Sequence, residues 1–207
     1  NHEIDPGWFN KKKISLTRDL KDCLTDTASN THNFEGWSYS YKIVEDIDLH
    51  QALPESSKYF DDYQLPMNKL PAIWQNFCMT IFQSKEYHIF LRRTLGCNDF
   101  RIRMDFHRTR GGLDVSPHVD SIGKIGSHLF YFMPDEWTDD MGGKTIFYRG
   151  KKVDRMNPEP EEFEESVTTS VLGNRSCLFK NVEEGWHGVT QVKSIMHRQI
   201  CNVVILK

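Results

Sequence analysis

His118 and Asp120 stand two residues apart in Pro117-His118-Val119-Asp120. A third side chain able to bind metal, His187, stands in Glu184-Gly185-Trp186-His187-Gly188-Val189. Two imidazoles and one carboxylate can take one face of an octahedral iron ion and leave the other positions open. Residues i and i+2 of a strand project to the same side, so His118 and Asp120 can reach one ion from one strand end. His187 lies far along the chain, and only a fold that joins the two segments completes the set. A His-x-Asp pair alone says little. With nine histidines in the chain, about one such pair is expected by chance, and a polar strand end is its ordinary meaning.

The ordered set is more specific. His-x-Asp is followed by Gly142-Gly143-Lys144-Thr145, then by Trp-His-Gly-Val around His187, then by Arg198 eleven residues after His187. In this order the chain resembles the Fe(II)/2-oxoglutarate-dependent dioxygenases. It looks most like their prolyl 4-hydroxylase-like branch, over roughly residues 70 to 207. The resemblance implies His118, Asp120 and His187 as the catalytic iron ligands, with 2-oxoglutarate and O2 as co-substrates and ascorbate as a stimulant. It also implies that 2-oxoglutarate chelates the iron through its keto oxygen and C1 carboxylate. Its C5 carboxylate then meets a fixed cation deeper in the barrel. Arg198 matches that basic position, and the planar guanidinium fork suits a carboxylate. Thr145 matches the hydroxyl of the Gly-Gly-x-Thr segment. Tyr131 offers a second contact, or is a core aromatic with a satisfied hydroxyl. Many relatives carry a co-substrate-binding tyrosine just before the glycine turn that precedes the first ligand. Here His107-Arg108-Thr109-Arg110 fills that stretch, which leaves one contact unassigned.

The elements that must position these residues follow from periodicity. Leu16, Leu20 and Leu24 recur at helical spacing in the polar segment 1–33, which carries Lys11-Lys12-Lys13. Aromatic and β-branched residues from Phe34 to Ile47 predict a strand, and residues 48–67, with Pro54 and Pro66, predict a loop. Leu70 to Leu95 predicts two helices, with Pro71 in a first turn, Ser84 as an N-cap and Gly96 as a stop. Phe100 to Arg108 alternates: Ile102, Met104 and Phe106 on one face, Arg101, Arg103, Asp105 and His107 on the other. Gly111-Gly112 predicts a turn into the strand that delivers His118. Further strands are expected at 127–133, 145–148, 167–172, 176–181, 188–194 and 200–206. The acidic stretch 149–166 reads as a solvated loop or a lid over the site. Trp186 is expected to pack beside the metal ligand, and Trp137 to anchor a loop. His107, His128 and His197 read as structural histidines. Together these predict a mainly β fold with a helical preface: a double-stranded β-helix, or distorted cupin-like jelly roll. One domain is expected over residues 1–207, with the N-terminal strand and bracing helices in 1–97 and the jelly-roll core in 98–207.

Composition narrows the partners. The net charge is −3 with both signs spread along the chain, so neither a nucleic-acid footprint nor a membrane-surface helix is indicated. No apolar run approaches a membrane span. The cysteines are odd in number, five, and lack any Cys-x-x-Cys. That favours reduced thiols in a cytoplasmic protein over a disulfide framework or a zinc knuckle.

The expected function is hydroxylation of an unactivated C–H bond, with succinate and CO2 as co-products. Asp120 keeps the carboxylate that halogenating relatives replace by a small residue, so an oxygenase outcome is expected. The substrate is expected to be a small molecule. Arg101 and Arg103, if they line the mouth of the pocket, would favour an anionic one, and Asp105 beside them a zwitterion. The same strand face could instead look to solvent. Rival readings are a peptidyl or prolyl hydroxylase, a non-catalytic metal-binding jelly roll, a zinc hydrolase with the same ligands and a carbohydrate-binding module.

Overall fold

The computed structural model describes residues 35–43, 53–55, 72–109 and 111–207. The leucine repeat at 16–24 lies outside them. Two helices come first among the C-terminal elements. In α1 (Ala72–Gln83), Trp74, Phe77, Cys78 and Ile81 recur at i, i+3, i+4 and i+7 and are all buried. The Ser84 side chain accepts the Tyr87 N–H at 3.1 Å and starts α2 (Lys85–Leu95). Gly96 ends α2 at φ +68°, where its N–H closes on the Arg92 carbonyl. That left-handed conformation favours glycine.

Ten strands are described: β1 (Glu35–Ile43), β2 (Leu53–Glu55), β3 (Phe100–Thr109), β4 (Val115–His118), β5 (Lys124–Tyr131), β6 (Thr145–Lys151), β7 (Phe163–Thr168), β8 (Arg175–Lys180), β9 (His187–Val189) and β10 (Arg198–Leu206). They form a six-stranded sheet in the order β2-β1-β3-β10-β5-β8 and a four-stranded sheet in the order β4-β9-β6-β7. The recorded pairings are antiparallel. This is the double-stranded β-helix expected from the sequence.

Alternation decides what each sheet face meets. Ile102 and Met104 of β3, Phe130 of β5, and Cys201, Val203 and Ile205 of β10 pack with the buried faces of α1 and α2 in one core cluster. Edge-to-face contacts, Trp74–Phe132 at 4.8 Å and Phe77–Phe130 at 5.6 Å, hold the helices on this outer face. The opposite face of the same strands carries Leu129, Tyr131 and Ile200, which pack with Met133, Trp137, Val171 and Val192 in a second cluster between the sheets. Trp137 is thus a core residue as well as a loop anchor. The helices brace one side of the large sheet, and the other side is left to the site.

Several local expectations shift. Within the expected loop 48–67, Leu53–Glu55 pairs with β1 as an edge strand. The acidic stretch 149–166 is largely a hairpin: β6 runs to Lys151, and β7 pairs back with Arg149 opposite Glu165 and Lys151 opposite Phe163. Phe163 is buried against Tyr148, ring centroids 4.8 Å apart, an anchor the net acidity concealed. The strand expected at 188–194 is only three residues long, His187–Val189. The chain beyond it is held by irregular bonds, such as Val192 N–H to the Leu113 carbonyl at 2.9 Å.

His128 lies on the helix-facing side, buried, with its Nδ1 3.0 Å from the Tyr87 hydroxyl. Burial pushes its pKa down to about 4. The unfolded chain, with an ordinary histidine near 6.5, binds the extra proton first. The stability contributed by neutral His128 is complete above pH 6.5 and is lost as pH falls from there toward 4. The loss amounts to up to roughly 3 kcal/mol. Urea unfolding at pH 7 and pH 4.5 tests this: His128→Gln is expected to lose less stability over that interval than the parent, and equal losses would contradict it.

Candidate functional site

β4 and β9 set the first geometry. His118 pairs directly with His187 across the two strands, and their ring centroids lie 4.4 Å apart. Gly188 permits the approach, because a Cβ there would stand 2.4 Å from the Val115 carbonyl oxygen. Asp120 follows two residues beyond the end of β4. One ligand atom from each of His118, Asp120 and His187 lies within 4.8 Å of the others. The structure brings the predicted triad together.

The hydrogen bonds around it prepare the three groups for a cation. His118 Nδ1–H donates to the Ser116 carbonyl at 3.0 Å, and His187 Nδ1–H donates to the Gly185 carbonyl at 2.8 Å. A carbonyl only accepts, so both rings carry their proton on Nδ1 and present the Nε2 lone pair. Burial is the main cause that lowers the His187 pKa, opposed by the Gly185 bond. The nearby His118 lowers it further, Asp120 raises it, and Lys124 lowers it. The net effect favours the neutral ring that a metal needs. Asp120 Oδ2 is buried, has no hydrogen-bond partner among the described residues, and lies 3.6 Å from His187 Nε2. A buried carboxylate oxygen without a partner is costly. A metal ion among the three groups would satisfy it, so the residues present fit one.

Aromatic rings wall the triad. Phe147, opposite His187 on β6, and Phe179 of β8 contact the His187 ring at 6.3 and 4.8 Å, and each other at 5.2 Å. Trp186 points elsewhere, contrary to expectation. Its ring meets Phe163 at 5.7 Å and the Lys151 ammonium at 4.8 Å. Strand alternation explains this: neighbours in sequence face opposite sides, so Trp186 faces the hairpin while His187 faces inward.

A second polar cluster lies between the sheets. Arg198 opens β10 at 3% exposure and donates from Nε to the Gly143 carbonyl at 2.7 Å. Gly143 sits at φ +71°, and a Cβ there would stand 2.9 Å from Arg198 Cδ. Gly143 therefore makes room for the arginine. Tyr131 lies beside it, its ring centroid 5.9 Å from the guanidinium carbon. The Tyr131 hydroxyl bonds Thr145 Oγ1 at 2.8 Å and lies 3.4 Å from Thr169 Oγ1. Arg198 Nη2 is buried without a partner, and no carboxylate among the described residues pairs with it. Burial lowers its pKa to about 10, with Tyr131 pulling it back up, so it is a cation at neutral pH. A buried cation beside Tyr131 with no anion among the described residues is a site for an anion.

Thr169 escaped the sequence analysis, since nothing distinguishes it within Val167-Thr168-Thr169-Ser170. Phe147 and Phe179 escaped too, as ordinary strand aromatics. Lys124 was also missed. It forms an ion pair with Asp120 Oδ1 at 2.8 Å, a spacing that carries meaning only once the turn is known. Arg101 and Arg103 lie opposite Leu206 and Val204, on the β3 face that carries Ile200 and Arg198 on β10. That face looks away from the helices. His107 and Thr109, opposite Ile200 and Arg198, share it. Asp105 occupies the same register face, but its side chain lies outside the described residues. His128 is structural, as expected.

No protein-family model matches the chain, and no curated protein matches it. Solved structures do. A prolyl-4-hydroxylase from Pseudomonas putida is similar at 12% identity over 100% of this chain and 90% of that one, with a TM-score of 0.55. A prolyl 4-hydroxylase from Phytophthora capsici is similar at 15% identity over 93% of this chain and 52% of that one, TM-score 0.56. This chain therefore spans about half the length of the Phytophthora protein. An oxidoreductase of the 2OG-Fe(II) oxygenase family from Burkholderia pseudomallei is similar at 10% identity over 93% and 79%, TM-score 0.54. At these identities the likeness is one of fold. No described helix is long and apolar enough to cross a membrane.

The triad makes a direct prediction. His118→Ala, Asp120→Ala and His187→Ala are each expected to lose divalent-metal binding by calorimetry while keeping the parent's circular dichroism. Parent-like binding in any one of them would remove that residue from the site.

Proposed function

We propose that this protein is an Fe(II)- and 2-oxoglutarate-dependent dioxygenase that hydroxylates a small anionic or zwitterionic molecule. The observation that carries the reading is the pairing of two sites in one barrel. A two-histidine, one-aspartate cluster and a buried guanidinium with no carboxylate partner among the described residues share one fold, the guanidinium beside Tyr131, whose hydroxyl bonds Thr145. Strand β6 links them. Thr145 belongs to the Arg198 cluster and Phe147 contacts His187, and both project from the same face of one strand. Two residues along a strand is about 7 Å, a gap that a five-carbon keto-diacid can bridge. A zinc hydrolase would leave Arg198 without a task.

Bound iron, with O2 and 2-oxoglutarate, supplies the hydroxylating power and leaves succinate and CO2. The chain's own residues do the rest. Arg198, through its unpaired Nη2, and the Thr145 and Tyr131 hydroxyls hold the distal carboxylate of the co-substrate by charge-assisted hydrogen bonds. The raised pKa of Tyr131, mainly from burial, keeps its hydroxyl protonated as a donor. Phe147 and Phe179 pack against the His187 ring and limit its contact with water. Hydroxylation is expected rather than halogenation, because Asp120 fills the position that chloride would need.

The sheet register supports the substrate class. Arg103, Val204, Ser127 and Phe179 form one row across β3, β10, β5 and β8, and the last of them touches His187. Arg101, Leu206 and Lys124 form the next row. Arg103, half-buried, and Arg101, exposed, suit a carboxylate, phosphate or sulfate on the substrate.

The test is aerobic incubation with Fe(II), 2-oxoglutarate, ascorbate and pools of small metabolites. Succinate release together with a product gaining one oxygen atom is the expected result. No 2-oxoglutarate-dependent succinate under any condition would refute the proposal, and a chlorinated product in chloride buffer would refute the hydroxylase outcome. Arg198→Ala is expected to weaken 2-oxoglutarate binding about 10²-fold or more, since stripping one partner from a buried charge pair costs roughly 3–5 kcal/mol. Thr145→Val is expected to cost less, roughly 1.5–3 kcal/mol. Once a substrate is known, Arg101→Ala and Arg103→Ala are expected to lose coupled product while retaining 2-oxoglutarate binding. Parent-like turnover and apparent affinity in both would overturn the substrate class alone.

A further inference from the structure

The two oxygens of Asp120 have different surroundings. Oδ1 accepts from the Lys124 ammonium at 2.8 Å, with the two side chains only 12% and 13% exposed. Oδ2 has no hydrogen-bond partner among the described residues and lies 3.6 Å from His187 Nε2. The lysine is not a loose surface side chain, because its backbone is tied on three sides. Its N–H donates to the Ser121 carbonyl at 3.0 Å. Asn181 Nδ2 donates to the carbonyls of Ser121 and Lys124, both at 2.9 Å, and lies 3.5 Å from that of Asp120. The Lys207 N–H donates to the neighbouring Gly123 carbonyl at 2.9 Å. An ammonium this near a metal site repels the metal, so it does not serve metal affinity.

We infer that Lys124, held by Asn181, is a positioning residue that restricts Asp120 to one metal-binding oxygen and so keeps three coordination positions open. The inference rests on the metal role proposed for His118, Asp120 and His187. A carboxylate can bind a metal through one oxygen or both. Binding through both would take one of the three positions that two histidines and one oxygen leave free on a six-coordinate ion. Lys124 occupies Oδ1 and leaves Oδ2 alone for the ion. It trades affinity for room. The pair could not be found by spacing alone, since it needs the turn that Asn181, just past the end of β8, fastens.

Cobalt(II) binding to the full chain tests this without turnover. Lys124→Met removes the charge and keeps the length, and it is expected to bind Co(II) at least about tenfold more tightly than the parent. Lys124→Arg is expected to bind it more weakly, because a planar fork can claim both oxygens. A purely structural lysine would give the opposite order, with arginine the better replacement. Infrared difference spectra with carbon-13-labelled aspartate supply a second readout. The wide separation of carboxylate stretches for one-oxygen coordination is expected in the parent, and a narrower one in Lys124→Met. A narrow separation in the parent overturns the inference even if the variants fail to fold. Unchanged or weaker Co(II) binding in Lys124→Met, with an unchanged separation, overturns it and leaves the proposed function standing. A parent that takes up no metal overturns both.

Discussion

The site depends on one cross-strand pair. His118 on β4 and His187 on β9 are far apart in sequence and become neighbours only because the short strands β4 and β9 pair. Each ring is then turned by a backbone carbonyl two residues earlier in its own chain. Two identical local devices thus aim two lone pairs at one point, and Asp120 adds the charge. The strand pairing is tight because residue 188 is glycine. A side chain there would collide with the backbone of β4. The motif His-Gly-Val is therefore a statement about strand approach as much as about ligation.

The rest of the fold buries His187 and supplies a counterpart. Alternation on β3, β5 and β10 sends one set of side chains to the helices and the other to the space between the sheets. Burying Arg198 there without an anion is energetically unfavourable, as is leaving Asp120 Oδ2 unpartnered. The two costs have opposite sign of charge, and β6 connects the two clusters through Thr145 and Phe147. A fold that carries both is held in readiness for a metal ion and an anion, and the stability it forgoes is the measure of that readiness.

Much of this was legible from residue types and spacing. The triad, Arg198, Thr145, both helix boundaries and the alternation of β3 follow from local rules, because each is set by a few neighbouring residues. What escaped was set by contacts distant in sequence. Lys124 finds Asp120 only across a turn that Asn181, just past the end of β8, fastens. Thr169 joins Tyr131 only through sheet packing. The acidic stretch 149–166 reads as a solvated loop or a lid, yet β7 pairs with β6 as a hairpin and Phe163 anchors it against Tyr148 and Trp186. Trp186 was placed beside the metal because of its position next to His187 in sequence, where strand alternation sends it to the other face.

The central claim is that the triad and the arginine cluster bind two parts of one co-substrate. Linkage between ligands tests it most directly. Calorimetric titration under nitrogen gives Mn(II) affinity with and without saturating 2-oxoglutarate, and 2-oxoglutarate affinity with and without Mn(II). If one keto-diacid spans both sites, each ligand strengthens the other by the same factor, and that factor is expected to be at least about fivefold, the low end of ordinary coupling. Affinities that are independent of one another would contradict the account, since the metal cluster and the buried arginine would then be two unrelated sites.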